Sequence, residues 1–87
     1  MKIVTVCGNG CGTSLLLKMT VEAALRSMGI EADVEHTDIN SAASMSCDFL
    51  MGAADLAGLL EGTGQRFATV NSVLDVQEAI QAIQSML

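Results

Sequence analysis

Cys7-Gly8-Asn9-Gly10-Cys11-Gly12-Thr13-Ser14 holds the residues of this 87-residue chain whose types and spacing could do chemistry. Glycines at alternate positions let the backbone curl without Cβ clashes, turning successive N–H groups inward. A helix opening at Thr13 or Ser14 adds its own unpaired N–H groups and the positive end of its dipole. Together these make a backbone cup suited to an anion, phosphate above all. A thiol stands at its first position. Helix N-termini favour the thiolate form of a cysteine, so Cys7 reads as a nucleophile positioned to attack phosphorus. The bland alternative is a small buried hydrophobe at a strand end.

Other glycine-rich loops fit less well. Walker A requires G-x-x-x-x-G-K-[ST], and no lysine precedes Thr13 or Ser14. The dinucleotide fingerprint G-x-G-x-x-G would start at Gly8 and need glycine where Thr13 stands, and one half-sized domain cannot supply both mononucleotide halves. A cysteine phosphatase is the serious rival in mechanism. Its C-x5-R-[ST] spacing is kept here, but Thr13 takes the arginine position, and with it goes much of the charge stabilisation that hydrolysis needs. A loop of this kind is expected to form a phosphocysteine and hand the phosphoryl group on.

The remaining reactive side chains carry weaker signals. Cys11 could serve as a resolving thiol, but C-x3-C is not a redox motif and a neutral loop residue is the expectation. Cys7, Cys11, Cys47 and His36 lack metal-ligand spacing, so no metal and no cofactor are expected. Cys47 reads as a core thiol at the start of a strand. His36, near the active edge, could assist phosphate handling, against the plainer reading of a solvated strand-end histidine. Asp38 is expected to face water or cap a turn, because pointing inward it would repel a phosphoryl group. Lys18 is expected to be solvated, and the scattered methionines read as core fill.

The elements that must position the loop follow from pattern. Lys2–Val6 is short and β-branched, a buried strand. A helix then runs to Met28 with Gly29 as its stop, burying Leu17, Val21, Ala24, Leu25 and Met28. Further strands are predicted over 31–37, 47–51 and 66–70, the first of these near an edge. A short helical turn is expected within 38–46 and a short helix over 55–61. A last helix opens at Ser72-Val73-Leu74-Asp75 in a capping-box pattern, with Val73, Val76, Ile80, Ile83 and Leu87 as its apolar stripe. Strand and helix alternate with no hairpin signal and no proline, which implies an α/β fold: parallel strands with crossover helices on both faces. Right-handed crossovers bring the strand C-termini and the glycine loop to one edge.

Composition excludes several other functions. Ten acids against four bases give a formal charge of −6, with no basic cluster to neutralise nucleic-acid phosphates. Phe49 and Phe67 are the whole aromatic content, too little for stacking on single strands. The apolar fraction of 51% argues against disorder. Mean hydropathy is +0.48, yet no apolar run approaches the length of a membrane span, and the N-terminus does not read as a signal peptide. Three cysteines at no framework-like spacing suit a reducing cytoplasm. One domain over 1–87 is expected at this length.

A strand followed by CGNGCGTSLLLKM, a Gly-ended helix and then VEHTDI resembles the enzyme IIB domain of the bacterial sugar phosphotransferase system. The L-ascorbate-type branch is the nearest in pattern, with galactitol-type and lactose/cellobiose-type domains as relatives. The resemblance implies an open four-stranded parallel sheet in the order 2-1-3-4 within a Rossmann-like three-layer sandwich. It also implies that Cys7 takes phosphate from a phosphohistidine on enzyme IIA and passes it to the sugar bound by the membrane enzyme IIC. Gly8, Asn9, Gly10, Cys11, Gly12, Thr13 and Ser14 carry over as the phosphate-binding loop. A transferase located in the cytoplasm, and transiently at the inner membrane face through IIC, follows. Its partners would meet a small apolar rim around the loop, with acids elsewhere. A galactitol/pentitol-type IIB and a phosphatase-like enzyme are the alternatives.

Overall fold

The structure is a computed structural model that describes residues 1–7 and 13–87, Thr13 in its backbone only. Its strands β1 (Lys2–Cys7), β2 (Asp33–Asp38), β3 (Phe49–Ala53) and β4 (Phe67–Val70) pair in parallel in the order β2-β1-β3-β4. Helix α1 (Thr13–Met28) links β1 to β2, α2 (Ile39–Ala42) lies between β2 and β3, and α3 (Ala57–Glu61), preceded by a 3₁₀ turn at Ala54–Leu56, leads to β4. Helix α4 (Val76–Met86) closes the described chain. This is the open sheet with helices on both faces that the alternation of elements predicts.

Two cores sandwich the sheet. Ile3, Phe49, Met51 and Val70 pack with Leu17, Val21, Ala24 and Leu25 of α1 and Ala79 and Ile83 of α4. On the other face Val4, Val6 and Leu50 pack with Ala42 of α2 and Leu60 of α3. Period-2 alternation assigns odd residues of β1 to the first face and even ones to the second. A strand buried on both faces reads as a continuous apolar run, which is why Ile3 through Cys7 are all buried. The α1 face matches the predicted helical stripe, and Gly29 ends the helix at φ +70°, a conformation that side chains other than glycine's rarely adopt.

Several boundaries differ from the sequence reading. The third strand begins at Phe49, because Asp48 is occupied in pairing with Lys2: its N–H donates to the Lys2 carbonyl and its carboxylate accepts from the Lys2 N–H. Cys47 therefore precedes the strand and is half-buried, not a core thiol; its Sγ donates to Gln65 Oε1 at 3.3 Å. The strand also runs through Gly52, which pairs with Val6 and lies against Leu60 and Leu56. Helix α4 starts one turn later than predicted. Asp75 is its cap, accepting from the Glu78 N–H, while the Glu78 carboxylate reaches back to the N–H groups of Asn71 and Ser72. Leu87 lies outside the apolar stripe and is exposed; Ala79 is the buried residue the pattern missed.

Candidate functional site

Cys7 ends β1, an interior strand flanked by β2 and β3, and is 2% exposed. Alternation sets it on the same sheet face as Ile3 and Thr5, the face that α1 covers. Helix α1 begins at Thr13, so the strand end bearing the thiol and the helix start, whose first N–H groups have no partner within the helix, are separated by five residues. Gly8, Asn9, Gly10, Cys11 and Gly12 lie outside the described residues, as does the side chain of Thr13. Ser14 is described and buried, and its carbonyl accepts from Thr5 Oγ1 at 2.7 Å.

The other predicted residues fall at stated places on the same framework. Asp38 is the register partner of Cys7, and its carboxylate accepts from the Ser41 N–H at 2.8 Å, capping α2 as the reading of a turn cap predicts. His36 is exposed near the end of β2, level with Thr5 rather than with Cys7. Lys18 is half-buried one turn into α1, where a solvated lysine was expected. Cys47 belongs to the opposite edge of the sheet, before β3, and is not brought together with Cys7.

Around this edge α1 exposes Leu15, Leu16 and Met19, the last 60% exposed, and the loop between β4 and α4 exposes Leu74. Apolar side chains thus flank the start of α1, as a rim would require. Acids are not confined elsewhere: Asp38 ends β2, and Asp55 and Asp75 follow the ends of β3 and β4 on this same edge. Asp38 and Asp75 spend one carboxylate oxygen each on a helix cap. The loop that carries Leu74 is anchored twice, by Glu78 at Asn71 and Ser72 and by Thr20 Oγ1, which donates to the Val73 carbonyl at 2.6 Å.

Thr5 and Thr20 were not singled out in the sequence. Their signal is a hydroxyl within an otherwise apolar buried face, which must find an acceptor. Thr20 ties α1 to the β4–α4 loop and Thr5 ties it to β1, so the helix that opens the loop is held from two sides.

The framework is thus an open parallel sheet with a cysteine ending its β1 strand and a helix opening just beyond, and the family match assigns it to the IIB components of the sugar phosphotransferase system. The chain belongs to the family described as PTS system, lactose/cellobiose specific IIB subunit, whose model matches residues 2–87. Among similar proteins, the ascorbate-specific PTS system EIIB component of Mycoplasma pneumoniae is 29% identical over 90 residues, covering 100% of this chain and 95% of that protein. The protein of the same description from Escherichia coli O157:H7 is 29% identical over 69 residues, 77% of this chain and 68% of its own. The lactose-specific IIB component domain of Streptococcus pneumoniae superposes with a TM-score of 0.70 at 13% identity, covering 99% of this chain and 96% of that one. A low molecular weight protein tyrosine phosphatase from Bacillus subtilis shares the fold at a TM-score of 0.53 and 12% identity, covering 99% and 89%. Among the described residues no helix is long and apolar enough to cross a membrane.

Proposed function

We propose that residues 1–87 form one IIB domain in which Cys7 carries the phosphoryl group. The observation that carries this reading is the place of Cys7: the end of an interior parallel strand, on the face covered by α1, with α1 opening six residues later. Cys7 Sγ attacks the phosphorus of a phosphohistidine on enzyme IIA. The S–P bond forms as the N–P bond breaks, and the electron pair returns to the imidazole nitrogen. Residues Gly8 to Ser14 supply amides to the equatorial oxygens, so stabilisation comes from backbone dipoles and not from a charged side chain. In the second step a hydroxyl of the sugar held by membrane enzyme IIC attacks phosphorus; the O–P bond forms, the S–P bond breaks, and Cys7 leaves as thiolate. The hydroxyl proton passes to a base on the acceptor side.

The names of the curated relatives favour L-ascorbate as the sugar over a galactitol or pentitol. This reading places the domain in the cytoplasm, reaching the inner membrane face only through IIC. The phosphatase reading is disfavoured by Thr13 in the arginine position of the C-x5-R pattern.

The test supplies phosphoenolpyruvate, the general phosphotransfer proteins and a IIA of the ascorbate type, then follows acid-labile label on the chain. Label is expected on Cys7, absent in Cys7→Ser, and chased to L-ascorbate by membranes bearing an ascorbate-type IIC. Label that survives Cys7→Ser overturns the site. Turnover of an aryl phosphate by the isolated chain would instead point to hydrolysis.

A further inference from the structure

Thr5 lies midway along β1, fully buried, on the face it shares with Ile3 and Cys7. Its Oγ1 donates to the carbonyl of Ser14, the second residue of α1, at 2.7 Å; the Glu35 carbonyl is a more distant neighbour at 3.3 Å. A hydroxyl has one proton to give, and the shorter contact takes it. Valine would suit this strand and this apolar face without needing any partner. The hydroxyl instead joins two pieces that the loop separates: the strand end carrying the thiol, two residues on, and the first turn of α1.

We propose that Thr5 is a positioning residue for Cys7. Its hydrogen bond sets the height and rotation of the first turn of α1 against the end of β1, so that the helix-end N–H groups converge on the anion beside Cys7. The role presupposes the phosphocysteine site described above, but its physical content is anion affinity, which can be measured without a phosphoryl donor.

Inorganic phosphate is titrated into the full chain, wild type, Thr5→Val and Thr5→Ser, while amide resonances of Cys7, Thr13 and Ser14 are followed by NMR. Urea denaturation of each variant is measured in parallel. Thr5→Val is expected to weaken phosphate binding about fivefold, the equivalent of one net hydrogen bond, and Thr5→Ser to bind within about twofold of wild type. A merely structural role would change stability and leave the phosphate affinity of the folded fraction unmoved. If Thr5→Val does not fold, Thr5→Ala replaces it in the comparison with Thr5→Ser. Affinity that is equal with and without the hydroxyl, or wild-type amides indifferent to phosphate, overturns the proposal. Affinity that follows the hydroxyl while Cys7 takes no label from a donor leaves the positioning role standing and removes the carrier reading; labelled Cys7 with affinity indifferent to Thr5 does the reverse.

Discussion

Asp38 stands level with Cys7 across the β1–β2 pair, and its carboxylate is held on the Ser41 amide. A negative side chain aimed at the thiol would oppose an arriving phosphoryl group; as the cap of α2 it has a backbone partner instead. Asp38→Ala is expected to lose about 1 kcal/mol in urea denaturation, and Asp38→Asn, which keeps an acceptor oxygen, only a few tenths. Labelling of Cys7 should persist in Asp38→Asn within about twofold. A loss on the order of a hundredfold would instead make Asp38 a proton-transfer group.

Glu78 holds the far side of the same edge. Its carboxylate accepts from Asn71 and Ser72 while its own N–H donates to the Asp75 cap, so one residue of α4 fastens the preceding loop. Glu78→Ala should cost about 1.5–3 kcal/mol, the range for hydrogen bonds to a charged group. Native-state hydrogen exchange should show Asn71 and Ser72 amides losing protection before the core of α4. Unchanged exchange at both amides would mean the loop is held by Thr20 at Val73 alone.

What the sequence made legible is what periodicity controls. Leu17, Val21, Ala24 and Leu25 repeat at helical spacing and all face the sheet; β1 is a continuous apolar run and lies inside it. The errors occur where a side chain decides against local pattern. Gly52 looks like a strand end, yet the strand continues through it, paired with Val6 and Thr69, and Leu60 and Leu56 crowd the space a Cβ would take. Ser72 looks like a cap, yet Asp75 takes that role once Glu78 turns back to the loop. For the site, the C-G-x-G-x-G-T-S spacing pointed to Cys7, but nothing local to that motif indicates the bond from Thr5 to Ser14, since it joins residues nine apart through the fold.

Cys47 gives a pH dependence with a definite sign. Burial pushes its thiol above the usual value of 9.0; the nearby Asp48 carboxylate adds to this and Lys2 opposes it. The folded chain therefore binds this proton more tightly than the unfolded chain, so its contribution to stability is present below about pH 9 and is lost as pH rises beyond it. Urea midpoints of wild type and Cys47→Ser, compared from pH 7 to 10.5, should converge or cross in favour of the variant as pH increases. A difference that stays constant over that range would show that the thiol titrates alike in both states. Gln65 stands at the same spot, accepting from the thiol and donating to the Ala42 and Met45 carbonyls at 2.8 and 2.7 Å. Gln65→Ala should accordingly cost more than Cys47→Ser, because it removes the hydrogen bonds to both carbonyls as well as the thiol's acceptor.

Leu16 and Met19 pose the opposite case, apolar side chains exposed on α1 where burial would be favourable. Single exposed apolar residues are ordinary, but these lie one turn apart beside the end of the strand that carries Cys7, on a helix pinned by Thr5 and Thr20. On the function proposed above, a donor protein docks at the edge where α1 begins, and this is an apolar face of α1 exposed there. Leu16→Gln and Met19→Gln are expected to leave stability within about 0.5 kcal/mol, as exposed substitutions do. Together they should raise the KM for the phosphorylated donor about tenfold, the size expected of contacts near the centre of a small interface, with little change in the maximal rate. Leu87→Gln is the control: more exposed than either, but at the end of α4 that runs away from the edge where α4 begins. An equal KM for all three variants and wild type would remove this face of α1 from the docking surface and leave Leu74 as the apolar contact to test next.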